Sequence, residues 1–251
     1  MTMKLCSWDV SPYSARVRMQ VYAKGLIDIA IEQPPTYFTP KFYQDHPIGR
    51  IPFLEIDGEA IPESAVIAEY LEEIHPEPSL LGATPRENAQ IRTLARIGDI
   101  YLMNNAFMLA SVLPAQTPVT TANEGIVALL VGQLASSTKA LDRMIGRDGF
   151  ACLGRLTLAD CALVPALFYL EIVLASRGVA DPIAANANVA AYRTAIQGEE
   201  CAARILVELH RGLEERRELV RSGEIEKRRA AARAARQAAE RTSTESSTAG
   251  E

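Results

Sequence analysis

Apolar positions along the first 74 residues switch between two periods. Residues 3–8 form a brief apolar run that predicts a strand. From Pro12 to Lys24 the apolar positions Ala15, Val17, Met19, Val21 and Tyr22 suit a helix. Ser11 stands at its N-cap, Pro12 at its first position and Gly25 at its end. Residues 26–32 alternate as a strand does, until Pro34-Pro35 breaks the pattern. Residues 41–46 predict a short helix closed by Pro47 and Gly49. Residues 53–56 and 59–61 predict two strands joined by Asp57-Gly58, a strong hairpin signal. Ser64 then opens an amphipathic helix through Val66, Ile67, Tyr70, Leu71 and Ile74, which stops before Pro76. Alternation followed by a hairpin predicts a small mixed sheet with helices packed on it.

The pattern changes after a Pro- and Gly-rich linker at residues 75–87. Beyond it only helical periods occur. Residues 85–113 read as one long helix and 123–145 as another. The run GRLTLADCALVPALFYLEIVLA follows, then two helices at 189–197 and 199–221. Thr157 and Asp160 stand three apart before the apolar run, a capping box with Asp in place of Glu. From Ser222 the chain is rich in Ala and Arg with almost no large apolar residue, so it reads as a solvated helical extension. The closing TSTESSTAGE reads as disordered. The expected division is therefore residues 1–78 as a mixed α+β domain, 86–221 as an all-helical domain, and 222–251 as extension and tail.

Composition narrows the function classes. The 251 residues carry a net charge of −5, so bulk charge points to no nucleic-acid partner. The greasiest stretches, 100–115 and 161–175, are shorter than the ~20 apolar residues of a membrane span. They read as buried core helices, with no membrane partner expected. The N-terminus shows no charged region followed by an apolar one, so a cytoplasmic location is expected. Cys6, Cys152, Cys161 and Cys201 have no zinc-type spacing and read as free core thiols. His46, His75 and His210 form no metal pair, and no P-loop, GxGxxG, GxSxG or HExxH is present. Hydride transfer on a Rossmann fingerprint, ATP chemistry and zinc hydrolysis therefore lack their signatures.

Three stretches of the first domain remain as candidate chemistry. Ser11 stands where a strand passes into a helix, where free N–H groups and the helix dipole favour an anion. Ile51-Pro52 precedes a strand, and a cis bond there would offer the Ile51 backbone to an extended peptide. Glu63-Ser64 opens the next helix. Its first-turn N–H groups and Ser64 suit a carboxylate, while Glu63 suits an ammonium group. Together the three fit a small zwitterionic peptide with an anion at Ser11.

These stretches resemble those of the soluble glutathione S-transferases with a serine-type active site, of the bacterial, zeta or tau-like kind. SPYSARVRMQVYAKGL is similar to the family's first helix, HPIGRIPFLEIDG to its cis-proline strand, IPESAVIAEYLEE to its Glu/Gln-Ser motif, and GRLTLADCALVPAL to its capping motif. The resemblance covers about residues 3–221. It implies a thioredoxin-like first domain, an all-helical second domain, and glutathione as cofactor. Ser11 then falls on the catalytic position. Ile51 and Pro52 fall on the segment that pairs with the cysteinyl backbone, and Glu63 and Ser64 on the γ-glutamyl site. Arg50, with Lys41 behind it, is the candidate for the glycyl carboxylate. A homodimer, a role in detoxification, and transfer of glutathione to a small hydrophobic electrophile follow as expectations. The electrophile would sit in a groove walled by residues 101–107 and 167–174.

Departures from the family's patterns keep other outcomes open. Zeta-type isomerases typically show SSCSWRVR, where this chain has SPYSARVR. Disulfide-forming relatives carry Cys at the position of Ser11, and Cys6 lies in the strand five residues earlier, so thiol exchange is disfavoured. A glutathione-dependent isomerase, lyase or ether-cleaving enzyme is one alternative, and a non-catalytic binding module of the same fold is another.

Overall fold

In the computed structural model, which describes residues 2–34, 39–224, 226–228, 230–235 and 237, the first domain is built on four short strands. They are β1 (Met3–Cys6), β2 (Ala30–Glu32), β3 (Phe53–Ile56) and β4 (Glu59–Pro62), in the order β2-β1-β3-β4. β1 runs parallel to β2 and antiparallel to β3, which pairs antiparallel with β4. The hairpin turns through Asp57 (φ 48°) and Gly58 (φ 93°), two positive φ values in a row, which is why Asp-Gly stands there.

Strand alternation sends successive side chains to opposite faces. Leu5 and Leu54 pair in register and face helices α1 (Pro12–Ala23) and α3 (Ser64–Ile74), packing with Val17, Val21, Ile67 and Leu71. Cys6 and Phe53, the next pair, face the other way and pack on Phe42 of α2 (Pro40–Asp45). The result is a three-layer thioredoxin-like domain. Its second strand is shorter than the alternation of residues 26–32 predicts. α1 closes in a Schellman motif, Leu26 N–H to Val21 O and Gly25 N–H to Tyr22 O, both 3.0 Å. Residues 26–29 are consumed by that closure and the turn after it, Ile29 N–H to Leu26 O at 3.2 Å, and Ile27 is left 92% exposed.

The second domain holds α4 (Pro85–Arg96), α5 (Asn104–Val112), α6 (Glu124–Met144), α7 (Leu158–Ala175), α8 (Ala187–Ile196) and α9 (Glu200–Arg221). The expected single helix over 85–113 is continuous but not uniformly α. Ile97–Met103 is a π-helical segment between α4 and α5. α7 is the central helix, packing on α1, α4, the π-helical segment and α9. Among the described residues it is the one helix long and apolar enough to cross a membrane, and 72% of it is buried inside the fold. The capping box forms as expected: Asp160 accepts from Thr157 N–H and Ala151 N–H at 2.9 and 2.7 Å.

A buried carboxylate ties α1, α3 and the linker together. Glu72 of α3 accepts from Gln20 of α1, from Lys24 at the end of that helix and from Leu80 N–H of the linker, at 3.1, 2.9 and 3.1 Å. Beyond α9, the extension is helical at 224, 226–228, 230–235 and 237, with Ala235 buried. The closing TSTESSTAGE lies outside the described residues.

Candidate active site

The chain leaves β1 by extending its ladder one residue, Ser7 N–H to Glu32 O at 2.8 Å, and turns through Ser11 N–H to Trp8 O at 3.0 Å. Ser11 then caps α1. Its backbone is extended (φ −81°, ψ 115°), and its Oγ accepts from Ser14 N–H at 3.2 Å. That contact uses one lone pair and leaves the hydroxyl proton for another acceptor. α1 has no acidic residue of its own in its first turn, which leaves its dipole free to favour an anion.

Arg18, 1% exposed, holds this loop from behind. Its guanidinium donates to Ser7 Oγ, Trp8 O and Asp9 O at 2.6, 3.0 and 3.1 Å. Glu208 of α9 balances the charge at 2.8 Å and also accepts from the Tyr22 hydroxyl at 2.8 Å. On the outer side, Gly212 of α9 lies so close to Asp9 and Val10 that a Cβ there would stand 2.4 Å from Val10 N.

Two further segments of the first domain converge on the same space. The Ile51-Pro52 bond is cis, and Pro52 leads into β3. Glu63 precedes α3 with φ 72° and ψ 111°, a left-handed conformation uncommon outside glycine, and Ser64 starts the helix, buried. Ser11, Arg50, Ile51, Pro52, Glu63 and Ser64 all line one cleft of about 740 Å³. Lys41 does not line it and pairs with Asp45 on the surface at 2.8 Å.

The opposite wall comes from the second domain: Ile100, Asn104, Phe107, Ser111, Tyr169 and Arg216. Of the expected wall segments, 101–107 and 167–174, Asn104, Phe107 and Tyr169 reach the cleft. Phe107 bridges two rings, stacked on Tyr13 at 5.9 Å and 15°, and tilted on Tyr169 at 4.4 Å. Burial pushes the Tyr13 and Tyr169 phenols up to about 12, so both are neutral at physiological pH. Burial likewise pushes the Cys6 thiol, on the α2 side of the sheet, up to about 12. It is neither ionised nor in the cleft, which agrees with the expectation against thiol exchange.

Sequence reasoning missed the buried ion pair beneath the cleft. Arg16, one turn into α1, donates to both Asp99 oxygens at 3.0 and 2.9 Å and reaches Ser64 Oγ at 3.5 Å. Asp99 also receives Arg96 at 3.2 Å. Asp99 sits in the π-helical segment, an irregularity that often marks functional sites. The available signal was an arginine among the apolar positions of a helix that had to be buried. His46 stacks on Phe53 at 4.0 Å, and no cluster of potential metal ligands occurs among the described residues.

Comparison with known proteins bears on this geometry. Residues 5–79 match the family model for the glutathione S-transferase N-terminal domain, and residues 124–195 that for the C-terminal domain. A maleylacetoacetate isomerase of Pseudomonas aeruginosa is 32% identical over 178 residues, 67% of this chain and 82% of that protein. Glutathione transferase Omega 3C from Trametes versicolor superposes with a TM-score of 0.67 at 24% identity, over 82% of this chain and 89% of that one. A maleylacetoacetate isomerase from Anaeromyxobacter dehalogenans, crystallised with bound GSH, has a TM-score of 0.60 at 24% identity, over 81% and 94%.

Proposed function

Since the chain belongs to the glutathione S-transferase family, we propose that its cleft binds glutathione and that Ser11 donates a hydrogen bond to the sulfur, favouring thiolate over thiol. The observation that carries this reading is the convergence of three separate segments, Ser11, Arg50-Ile51-Pro52 and Glu63-Ser64, on one cleft. Glutathione supplies the nucleophilic sulfur; the chain positions and ionises it.

The residues present fit that peptide. The N-terminus of α1, with no acidic residue of its own, and the Ser11 hydroxyl suit an anionic sulfur. The Ile51 backbone suits an extended cysteinyl unit. Ser64, at the start of α3, suits the γ-glutamyl carboxylate, and Glu63 its ammonium. Arg50 suits the glycyl carboxylate. Arg16 and Asp99 act as positioning residues beneath Ser64.

The magnitudes suffice. A hydrogen bond to a charged group contributes roughly 1.5–3 kcal/mol, equivalent to about one to two pK units. The helix N-terminus adds roughly 0.3–1 kcal/mol of the same sign. From a free-thiol value near ~8.5, thiolate becomes the major form at neutral pH. On attack, a carbon–sulfur bond forms, the leaving group departs with its electron pair, and the thiol proton passes to solvent.

The preferred reading is transfer to a small electrophile. A second reading, glutathione-dependent isomerisation, is supported by the similarity to the Pseudomonas aeruginosa isomerase. Against it stands Tyr13, whose ring occupies the cleft beside Phe107 two residues after Ser11. The deciding experiment is an ultraviolet titration of bound glutathione in the native protein and in Ser11→Ala. A native thiol that ionises a unit or more below free glutathione, with the shift lost in the mutant, is the expected result. An unshifted thiol in both would leave Ser11 as a cap only and the fold as a binding module.

A further inference from the structure

The far wall of the cleft has a charge pattern of its own. Four arginines line the cleft. Arg16 and Arg96 share Asp99, at 2.9 and 3.2 Å, and Arg50 comes from the first domain, as do Ser11 and Glu63. Arg216 belongs to α9, next to the aromatic wall. Side chains three and four apart on a helix are neighbours. Arg217 and Arg221 use that spacing to pair with Glu214 and Glu218. The corresponding neighbours of Arg216 are Gly212, Leu213, Leu219 and Val220, none of them acidic. α9 therefore supplies carboxylates to Arg217 and Arg221, which do not line the cleft, and leaves the cleft-lining arginine without one from its own helix.

The surroundings strengthen the asymmetry. The charges of Arg216 and Arg177 both act on the Tyr169 phenol. Arg177 is held by carbonyls, Leu113 O at 2.6 Å, Val173 O at 3.1 Å and Ala110 O at 3.2 Å, and by Ser176 Oγ at 2.7 Å. Beside these cations Phe107 and Tyr169 offer an aromatic surface, with Phe107 still 36% exposed. A planar ring has something to lie on, and an anion attached to it has a guanidinium to meet.

We propose that the second substrate is a planar aromatic compound bearing a carboxylate, its ring against Phe107 and Tyr169 and its carboxylate on Arg216. This rests on the glutathione reading above, and it makes Arg216 the specificity-determining residue. A non-aromatic or uncharged electrophile would use only part of the wall.

The test measures binding, so it does not depend on turnover. Calorimetry at low salt compares glutathione, its dinitrophenyl conjugate and the matching carboxydinitrophenyl conjugate, in the native protein, Arg216→Gln and Arg216→Lys. The native protein is expected to bind the carboxylated conjugate up to about fivefold tighter than the uncharged one, the upper end for an exposed charged pair at low salt. The preference should vanish in Arg216→Gln and largely survive in Arg216→Lys. Equal affinity for the two conjugates in the native protein, or a preference that persists in Arg216→Gln, overturns the inference. Binding of glutathione with no binding of either conjugate also overturns it, while sparing the glutathione reading. Failure to bind glutathione at all defeats both.

Discussion

Replacing Gly212 by alanine is expected to unseat the loop that carries Ser11. A Cβ at Gly212 would stand 2.4 Å from Val10 N, 2.8 Å from Asp9 C and 2.9 Å from Asp9 Cβ. Non-bonded heavy atoms settle near about 3.5–4.0 Å, so helix or loop must yield by roughly 1 Å. None of the three atoms is the tip of a flexible side chain, so the shift must be carried by backbone. Two terms then compete. Alanine gains roughly 1 kcal/mol over glycine inside a helix. Overpacking costs about 1–3 kcal/mol. The net is a loss of up to about 2 kcal/mol, or about 4–8 °C in a chain of this size. The functional loss should be larger, because a misplacement of about 1 Å can cost on the order of 100-fold in rate. Gly132 on α6 is the control. A Cβ there meets nothing within 4 Å, so Gly132→Ala should keep only the helix gain of roughly 0.5–1 kcal/mol. Denaturant unfolding of both variants, with ultraviolet titration of bound glutathione, reads both effects. If Gly212→Ala is as stable as Gly132→Ala and titrates as the native protein does, the argument from the α9 contact is wrong.

Three more outcomes follow from the same contacts. Asp99→Asn strips Arg16 of its partner at side-chain exposures of 6% and 14%, so the unfolding free energy should fall by about 3 kcal/mol, read as a lower urea midpoint at an unchanged slope; a change under about 1 kcal/mol would show the pair to be solvated. Burial raises Asp160 from 3.8 to about 6. A raised carboxyl pKa means that the folded state holds its proton more tightly. That contribution is fully present below the unfolded value and is lost as pH rises through about 6. Between pH ~4 and ~6 the native protein should lose on the order of 2–3 kcal/mol relative to Asp160→Asn, and parallel pH profiles would contradict the assignment. Finally, burial holds the thiols of Cys6, Cys152 and Cys161 above their ordinary values. A thiol-labelling reagent at mildly alkaline pH should leave all three unmodified until the protein unfolds, and rapid labelling of Cys6 would reopen thiol exchange.

Much of this fold was readable because local signals agreed with one another. Ser11-Pro12 and Gly25 bracket α1, Asp57-Gly58 fits a turn that needs two positive φ values, and Thr157 with Asp160 announces α7. Ser11, Ile51-Pro52 and Glu63-Ser64 stood out because each opens a helix or strand at a special backbone position, whereas Arg50 came only from the family resemblance. What escaped was whatever depends on distant packing. The alternation of residues 26–32 carries no mark of the Schellman closure that shortens β2. A helical period does not distinguish an α-turn from the wider π-turn that holds Asp99 against Arg16. Arg216 looks like any other arginine of α9 until the fold shows which face lines the cleft.

Arg18 limits how this protein can be divided. Its guanidinium lies inside the first domain, but the carboxylate that balances it at 2.8 Å comes from α9, 190 residues later. The nearest acid of its own domain, Asp9, stands at 4.0 Å. Cut free of α9, the thioredoxin-like half would keep Arg18 on its Ser7, Trp8 and Asp9 acceptors but lose the carboxylate that balances it most closely. It is therefore not a transplantable module. A chimera that grafts this half onto another helical domain inherits the debt unless the new partner brings an acid to the position of Glu208. Compatible exchanges should be found only among donors whose last core helix carries one.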